Sequence, residues 1–349
     1  MDSPRGRIYL MKSLTEGREL TDTIIEHFDR CLGCMACVTA CPSGVKYDEL
    51  IMQTRAEVEH ARRSLFRRLL FTMLPYPKRM KAMLLPQMLG RPLFKFLDLL
   101  PPIRLRHFTA KLPEFTPAKP PRRARVALLA GCVQRVYFPE VNEATIRVLA
   151  AEGCDVVVPR DLGCCGALSA HAGRDEEAKR FESKAVGAIE RAKVDFAIVN
   201  SAGCGSWMKE WKRVPVRDVS EFLIELGPRE ERHPIKVKAA YHDACHLAHA
   251  QRIRSQPRQL LQQIPELELL EIPDGDTCCG SAGIYNLVEP ESAREIGERK
   301  VVNILTTRAE LLVSANPGCT LQITKILRER GKSIPAAHVI ELLDRAINT

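Results

Sequence analysis

An α/β fold is what this chain of 349 residues predicts, with two duplicated parallel α/β cysteine-rich domains behind a short helical N-terminal domain and a connector. Three observations predict it. Four cysteines sit at short fixed spacing in residues 31–42, four further cysteines between 132 and 204 recur between 245 and 319, and apolar strand-like runs alternate with helical patterns around both sets. The expected domains are residues 1–60, 61–124, 125–236 and 237–349.

In the first domain the run Cys31-Leu-Gly-Cys34-Met-Ala-Cys37-Val-Thr-Ala-Cys41-Pro42 is the C-x2-C-x2-C-x3-C-P pattern by which bacterial-type ferredoxins hold a [4Fe-4S] cluster. Three thiolates two residues apart can wrap one cluster face, and the proline turns the chain away. Zinc or purely structural cysteines rarely carry a second consecutive C-x2-C step and the terminal C-P. Residues 1–60 therefore read as a helical ferredoxin-like half domain. In two-cluster ferredoxins the fourth Cys of a run ligates the other cluster, yet residues 1–30 contain no cysteine. Either the chain starts late within such a domain, or Cys41 folds back to complete one cluster alone.

The connector carries the basicity. Its 16 Lys and Arg from Arg62 to Arg125 face only Asp98 and Glu114, which leaves the rest of a chain of net charge +9 slightly acidic. Apolar runs at Leu69–Pro77, Met83–Pro86 and Leu93–Pro102 predict short amphipathic helices broken at prolines, with arginines such as Arg67 and Arg68 on the outer face. That face is either solvated surface or a docking surface for an acidic partner subunit or anionic lipid. No helix-turn-helix, zinc-finger or RNA-recognition pattern accompanies the charge, which argues against nucleic acid.

The last two domains are one unit written twice. Cys132, Cys164, Cys165 and Cys204 recur as Cys245, Cys278, Cys279 and Cys319 at offsets of 113, 114, 114 and 115 residues, each pair of adjacent cysteines being followed by Gly. The run Arg125–Cys132 reads as a buried strand, Pro139–Glu152 as a helix closed by Gly153, Asp155–Pro159 as a second strand, Asp175–Ala192 as a helix and Asp195–Asn200 as a third strand. The second copy repeats this with strands at Val237–Ala240, Leu267–Ile272 and Glu310–Ala315. Such alternation makes parallel sheets covered by helices, whose ligands sit beyond the carboxyl ends of the strands. All eight repeat cysteines fall there. Each set of four is read as holding a metal or iron-sulfur cofactor, with a redox-active dithiol and inert thiols as alternatives. Cys154 stands outside the pattern and reads as a small buried apolar side chain. His171, His242, His246 and Tyr285 flank the cysteines and serve either a thiolate or only their own loops.

Composition sets the compartment. Thirteen clustered cysteines, without an apolar leader ahead of them, need a reducing environment, so the cytoplasm is expected. No run of about 18 apolar residues could span a bilayer, so membrane contact would be peripheral, on the inner face of the cell membrane. No G-x-G-x-x-G follows a strand, so neither flavin nor NAD is expected in this chain.

With Tyr241-His-Asp-Ala-Cys-His-Leu and Asp276-Thr-Cys-Cys-Gly-Ser-Ala-Gly-Ile-Tyr285 behind the ferredoxin run, the chain resembles the cysteine-rich-domain family. That family includes the cysteine-rich chain of heterodisulfide reductase, the lactate utilisation iron-sulfur subunit, the iron-sulfur chain of anaerobic glycerol-3-phosphate dehydrogenase and, most similar, the glycolate oxidase iron-sulfur subunit. The resemblance implies an electron-transfer subunit that works with flavin-containing oxidase subunits converting glycolate to glyoxylate. A lactate-type or thiol-disulfide oxidoreductase subunit and a structural adaptor with bracing clusters are its alternatives. Two departures stand out. Family members of the glycolate oxidase type begin with another ferredoxin run, and the full repeat motif ends in C-x2-C, where this chain has Trp207 and Gln322.

Overall fold

The computed structural model describes residues 1–62, 64–88 and 105–348. Its N-terminal part consists of α1 (Pro4–Thr15), α2 (Asp22–Asp29), α3 (Ala36–Ala40) and α4 (Tyr47–Ala61). Ser3 and Thr21 cap α1 and α2 by accepting amides of the first turn. Leu10, Phe28, Tyr47, Ile51 and Val58 from these helices close on Cys31 and Met35 to form a small core.

The connector gives α5 (Leu65–Met73), α6 (Pro77–Met88) and α7 (Arg106–Thr109), with the break before Pro77 that the sequence predicts, but α6 continues through Pro86, where the sequence also predicts a break. The run Leu93–Pro102 lies outside the described residues. Arg67 departs from the expected outer face. Its guanidinium turns inward onto Glu59 of α4 at 2.7 Å, with 11% and 13% of the two side chains exposed, and Arg174 takes the other Glu59 oxygen at 3.2 Å. The partner that buries it lies in a different helix. Arg68 remains exposed beside Leu65 and Leu69.

After β1 (Phe115–Thr116) at the end of the connector, the first repeat runs through β2 (Ala124–Leu129), α8 (Val133–Tyr137), α9 (Pro139–Ala151), β3 (Cys154–Val157), α10 (Ala167–His171), α11 (Asp175–Ala192), β4 (Phe196–Val199), α12 (Ala202–Glu210), β5 (Val216–Asp218) and α13 (Val219–Leu226). The second has β6 (Val237–His242), a π-helical turn at His246–Ala250, α14 (Ser255–Gln262), β7 (Leu267–Glu271), α15 (Tyr285–Val288), α16 (Pro290–Thr306), β8 (Leu311–Ser314), α17 (Pro317–Glu329), β9 (Ala336–Ala337) and α18 (Val339–Asn348). The sheet orders are β1-β3-β2-β4-β5 and β7-β6-β8-β9. Apart from β1 the two sheets share one topology, all parallel, with Val126 in register with Val156 and Phe196 in the first and Tyr241 with Glu271 and Val313 in the second. The first sheet is not wholly parallel, because the connector adds β1 antiparallel to β3 along its open edge.

The two repeats bury their inner faces against each other. Val126, Leu149, Ile198, Phe222 and Leu223 of the first belong to one core with Tyr241, Leu260, Val313, Ile340 and Leu343 of the second. In that core α18 lies against α9 and α14 against α13, and Arg147 grips Asp344 across the α9–α18 seam at 2.9 Å. Cys154 sits in this core fully buried, and burial pushes its thiol up to about 12.

His338, which precedes α18, is also buried and accepts the Ile340 amide at Nδ1 (3.1 Å). Burial pushes its pKa down to about 4, against a smaller upward pull from the Asn200 carbonyl. From pH 6.5 down to about 4 the unfolded chain binds a proton the folded chain refuses, so stability falls with falling pH, by about 3 kcal/mol below pH 4. Urea unfolding across pH 4–7 is expected to show this slope reduced in His338→Gln relative to the native chain.

Candidate functional site

In each repeat the first, second and third strands end under the same edge, where the strand order reverses and open α/β sheets place their ligands. Cys132 follows β2, Cys164 and Cys165 follow β3, and Cys204 sits in the first turn of α12 after β4. Cys245, Cys278, Cys279 and Cys319 take the matching places after β6, β7 and β8. The adjacent-cysteine turn has the same build twice. Gly166 and Gly280 adopt φ of +86° and +85°, and each donates its amide to the first thiol of its pair, Cys164 or Cys278, at 3.4 Å. A side chain at either glycine would meet the backbone carbonyl of Ala178 or Ala293.

All eight repeat thiols line one cavity of about 190 Å³ between the repeats. Cys132 and Cys164 lie 3.6 Å apart. The hydrogen bond between them holds the Cys164 thiol well below its ordinary value and, together with burial, holds Cys132 well above it. Cys245 is likewise raised, by its hydrogen bond with Cys278 and by burial. Thiols so packed cannot all ionise against one another. A positively charged iron-sulfur core relieves that repulsion, and four soft sulfur donors per repeat are the ligands such a core takes. The donor set therefore fits.

The N-terminal cysteines reach the same place from the other side. Cys31, Cys34 and Cys37 line one pocket with Tyr47, and Cys41 is not among its lining residues. The Cys41 thiol accepts the amides of Val45, Ser43 and Gly44, which hold it below its usual value. Cys37 is pushed up to about 11 by burial and then by the charges of Cys34 and Cys31. Burial raises Cys34 too, the Ala36 amide opposes it, and the charge of Cys245 adds to it. Cys278 in turn feels Cys34. The ferredoxin-type loop thus stands within electrostatic reach of the second repeat. Arg55 fastens it to the first by donating to the His171 carbonyl at 2.8 Å and to the Cys31 carbonyl. Thr39, inside the cysteine run, fastens it to the second through His249 Nδ1 at 2.8 Å.

The rings of His171 and His246 stack at 4.7 Å and 19°, and both line a pocket beside Cys31 as well as the cavity between the repeats. Tyr285 lines the pockets at the ferredoxin-type loop. Two residues escape any reading of the sequence. Asn316 accepts the Gly203 amide of the first repeat at 3.3 Å and donates to the Cys319 thiol of the second at 3.4 Å, so one side chain spans both thiol sets. Tyr47 donates its hydroxyl to Cys31 Sγ at 3.6 Å. Neither carries a cysteine-like spacing signal. Hydrogen bonds to a cluster's sulfurs stabilise its reduced form. Tyr47→Phe is therefore expected to lower the midpoint potential of the ferredoxin-type centre by up to about 40 mV, the equivalent of about 1 kcal/mol for one electron. Redox titration with unchanged iron content would check it.

Comparison with known proteins agrees with this layout. Residues 126–209 and 239–324 match the cysteine-rich domain model, and residues 24–47 match the 4Fe-4S binding domain. The chain is 32% identical to the probable glycolate oxidase iron-sulfur subunit of Bacillus subtilis over 98% of its own length and 87% of that protein. It is also 32% identical to the glycolate oxidase iron-sulfur subunit of Escherichia coli, over 99% and 88%. A hypothetical protein from Helicobacter pylori of known crystal structure shares the fold with a TM-score of 0.60 at 11% identity, over 98% of this chain and 66% of that one.

Proposed function

Because the chain belongs to the family of glycolate oxidase iron-sulfur subunits and carries that family's [4Fe-4S] motif and paired cysteine-rich domains, we propose that it is the electron-transfer subunit of a 2-hydroxy-acid oxidase. A flavin-bearing partner oxidises glycolate to glyoxylate, and this chain accepts the electrons singly. The observation that carries the reading is the line of thiol groups. Cys34 lies near Cys245 and Cys278, and those share one cavity with Cys132, Cys164, Cys165 and Cys204.

In this reading Cys31, Cys34 and Cys37 hold the first centre, and the eight repeat thiols hold the others. Clusters there supply one-electron storage. The protein's part is to bury the thiolates, to aim amides and hydroxyls at them through Gly166, Gly280 and Tyr47, and to fix the spacing through Asn316, Thr39 and Arg55. The domain limits at 60, 124 and 236 are part of the same proposal, as is a place in the cytoplasm or at its membrane face. No described helix is long and apolar enough to cross a membrane. Arg68, exposed on α5, is the connector residue to test for docking to the partner or to anionic lipid, and not the internally paired Arg67.

The test is anaerobic mixing of the reconstituted chain with its flavoprotein partner and glycolate, followed by paramagnetic resonance. Reduced-cluster signals that appear only with all three components support the proposal. Clusters that stay oxidised while the flavin is reduced would leave the chain a structural adaptor.

A further inference from the structure

The two repeats are copies, but the residues around their thiols are not. His242 stands three residues before Cys245, and the matching place before Cys132 is Leu129. Lys300 stands 21 residues after Cys279, and the matching place after Cys165 is Val186. His242 and Lys300 are 0% and 1% exposed, as buried as the two apolar residues they replace. Burying an imidazole and an ammonium where the duplicate is content with Leu and Val costs free energy unless each has work to do.

Lys300 is satisfied, since its ammonium donates to the carbonyls of Asp274 and Gly275 at 2.9 and 3.0 Å. His242 is not. Both its nitrogens are buried without a hydrogen-bond partner, and an unmet buried polar atom costs about 1–3 kcal/mol. A ring nitrogen of His242, Cys279 Sγ and Cys319 Sγ all lie within 4.8 Å of one another, the one such group among the described residues. Donors sharing a tetrahedral metal ion, at about 2.3 Å for sulfur and about 2.0 Å for nitrogen, sit roughly 3.5–3.8 Å apart. Small side-chain rotations close that difference. Asp243, the next residue, does not compete, because Arg258 holds both its oxygens at 2.8 and 2.7 Å.

We infer that the second repeat is a mixed sulfur-nitrogen centre, in which the His242 imidazole ligates the same iron as Cys279 and Cys319, whereas the first repeat is an all-thiolate centre. The histidine supplies a donor that the missing terminal cysteine, Gln322 in this chain, does not. The inference rests on the proposal that the repeats hold iron. Replacing thiolate by neutral imidazole raises a cluster's reduction potential, so the second repeat's centre has the higher potential of the two.

The experiment uses the full chain reconstituted anaerobically with iron and sulfide, reduced, and examined by pulsed paramagnetic resonance for nitrogen bound directly to iron. The native chain should show strong nitrogen hyperfine coupling that changes to the nitrogen-15 pattern when the protein is grown on nitrogen-15 histidine. His242→Leu, which copies the first repeat, should lose that coupling while the ferredoxin-type signal persists. His246→Ala should keep it. Absence of the coupling from the native chain, its survival in His242→Leu, or its loss in His246→Ala would each overturn the assignment. Should His242→Leu fail to fold, the labelled native chain and His246→Ala still decide the matter. A chain reduced by glycolate and partner but without bound nitrogen would lose only this inference and keep its electron-transfer role.

Discussion

Cys34→Ser is expected to abolish the ferredoxin-type centre, because Cys31, Cys34 and Cys37 line one pocket and no described thiol replaces the middle one. Iron should fall and the cubane signal should vanish, while the repeat centres still assemble. Their thiols follow the strands of the two repeat sheets and lie outside residues 31–41. The consequence for electron flow is larger than the loss of one centre. Cys34 is the thiol of that loop that stands within electrostatic reach of Cys245 and Cys278, so reduction of the repeats through the N-terminal domain should stop. Cys41→Ser should do less, since Cys41 is turned to the amides of Val45, Ser43 and Gly44. A cubane signal that survives in Cys34→Ser would refute the assignment.

Gly280→Ala sets a damaging methyl group directly behind the second repeat's pair of thiols. At φ +85° a Cβ would lie 2.4 Å from the carbonyl oxygen of Ala293, an atom of α16 that cannot swing aside. The left-handed backbone alone costs an L-residue about 1–2 kcal/mol, and overpacking against fixed backbone adds about 1–3 kcal/mol. The second repeat's pair of thiols should shift with it, because the Gly280 amide is the donor that holds Cys278. Gly331→Ala separates the two causes. Its φ is +66° but nothing lies within 4 Å, so it should cost only about 1–2 kcal/mol and leave iron binding intact. Equal urea midpoints for the two variants, with equal iron contents, would contradict this account.

Much of this was readable in the residues themselves. The bounds Asp175–Ala192 for α11 follow from periodicity and coincide with the structure, and the 113–115-residue offsets find the duplication without any structure. Other features hid for physical reasons. Strands β1, β5 and β9 are two or three residues long, too short for a pattern with period two to register. The amphipathic face of α18 tells that it is covered and not that α9 of the other repeat covers it. Arg67 looks like any surface arginine until Glu59, on another helix, is placed beside it. His242 looks like a loop histidine until both its nitrogens are found without partners, and Asn316 gains its meaning only when two halves of the chain meet across it.

The apolar seam that joins the repeats bears on how such a chain could come about. A single repeat standing alone would present the face of α9 and α13 to water, and the surface shaped to cover that face is the matching one of a second copy, here α14 and α18. That is the arrangement of a two-fold homodimer, in which both partners must carry every residue alike. Tandem fusion removes the obligation. Once both copies are written in one gene, one can keep Leu129 and Val186 while the other acquires His242 and Lys300, and a symmetric frame can house two chemically different halves.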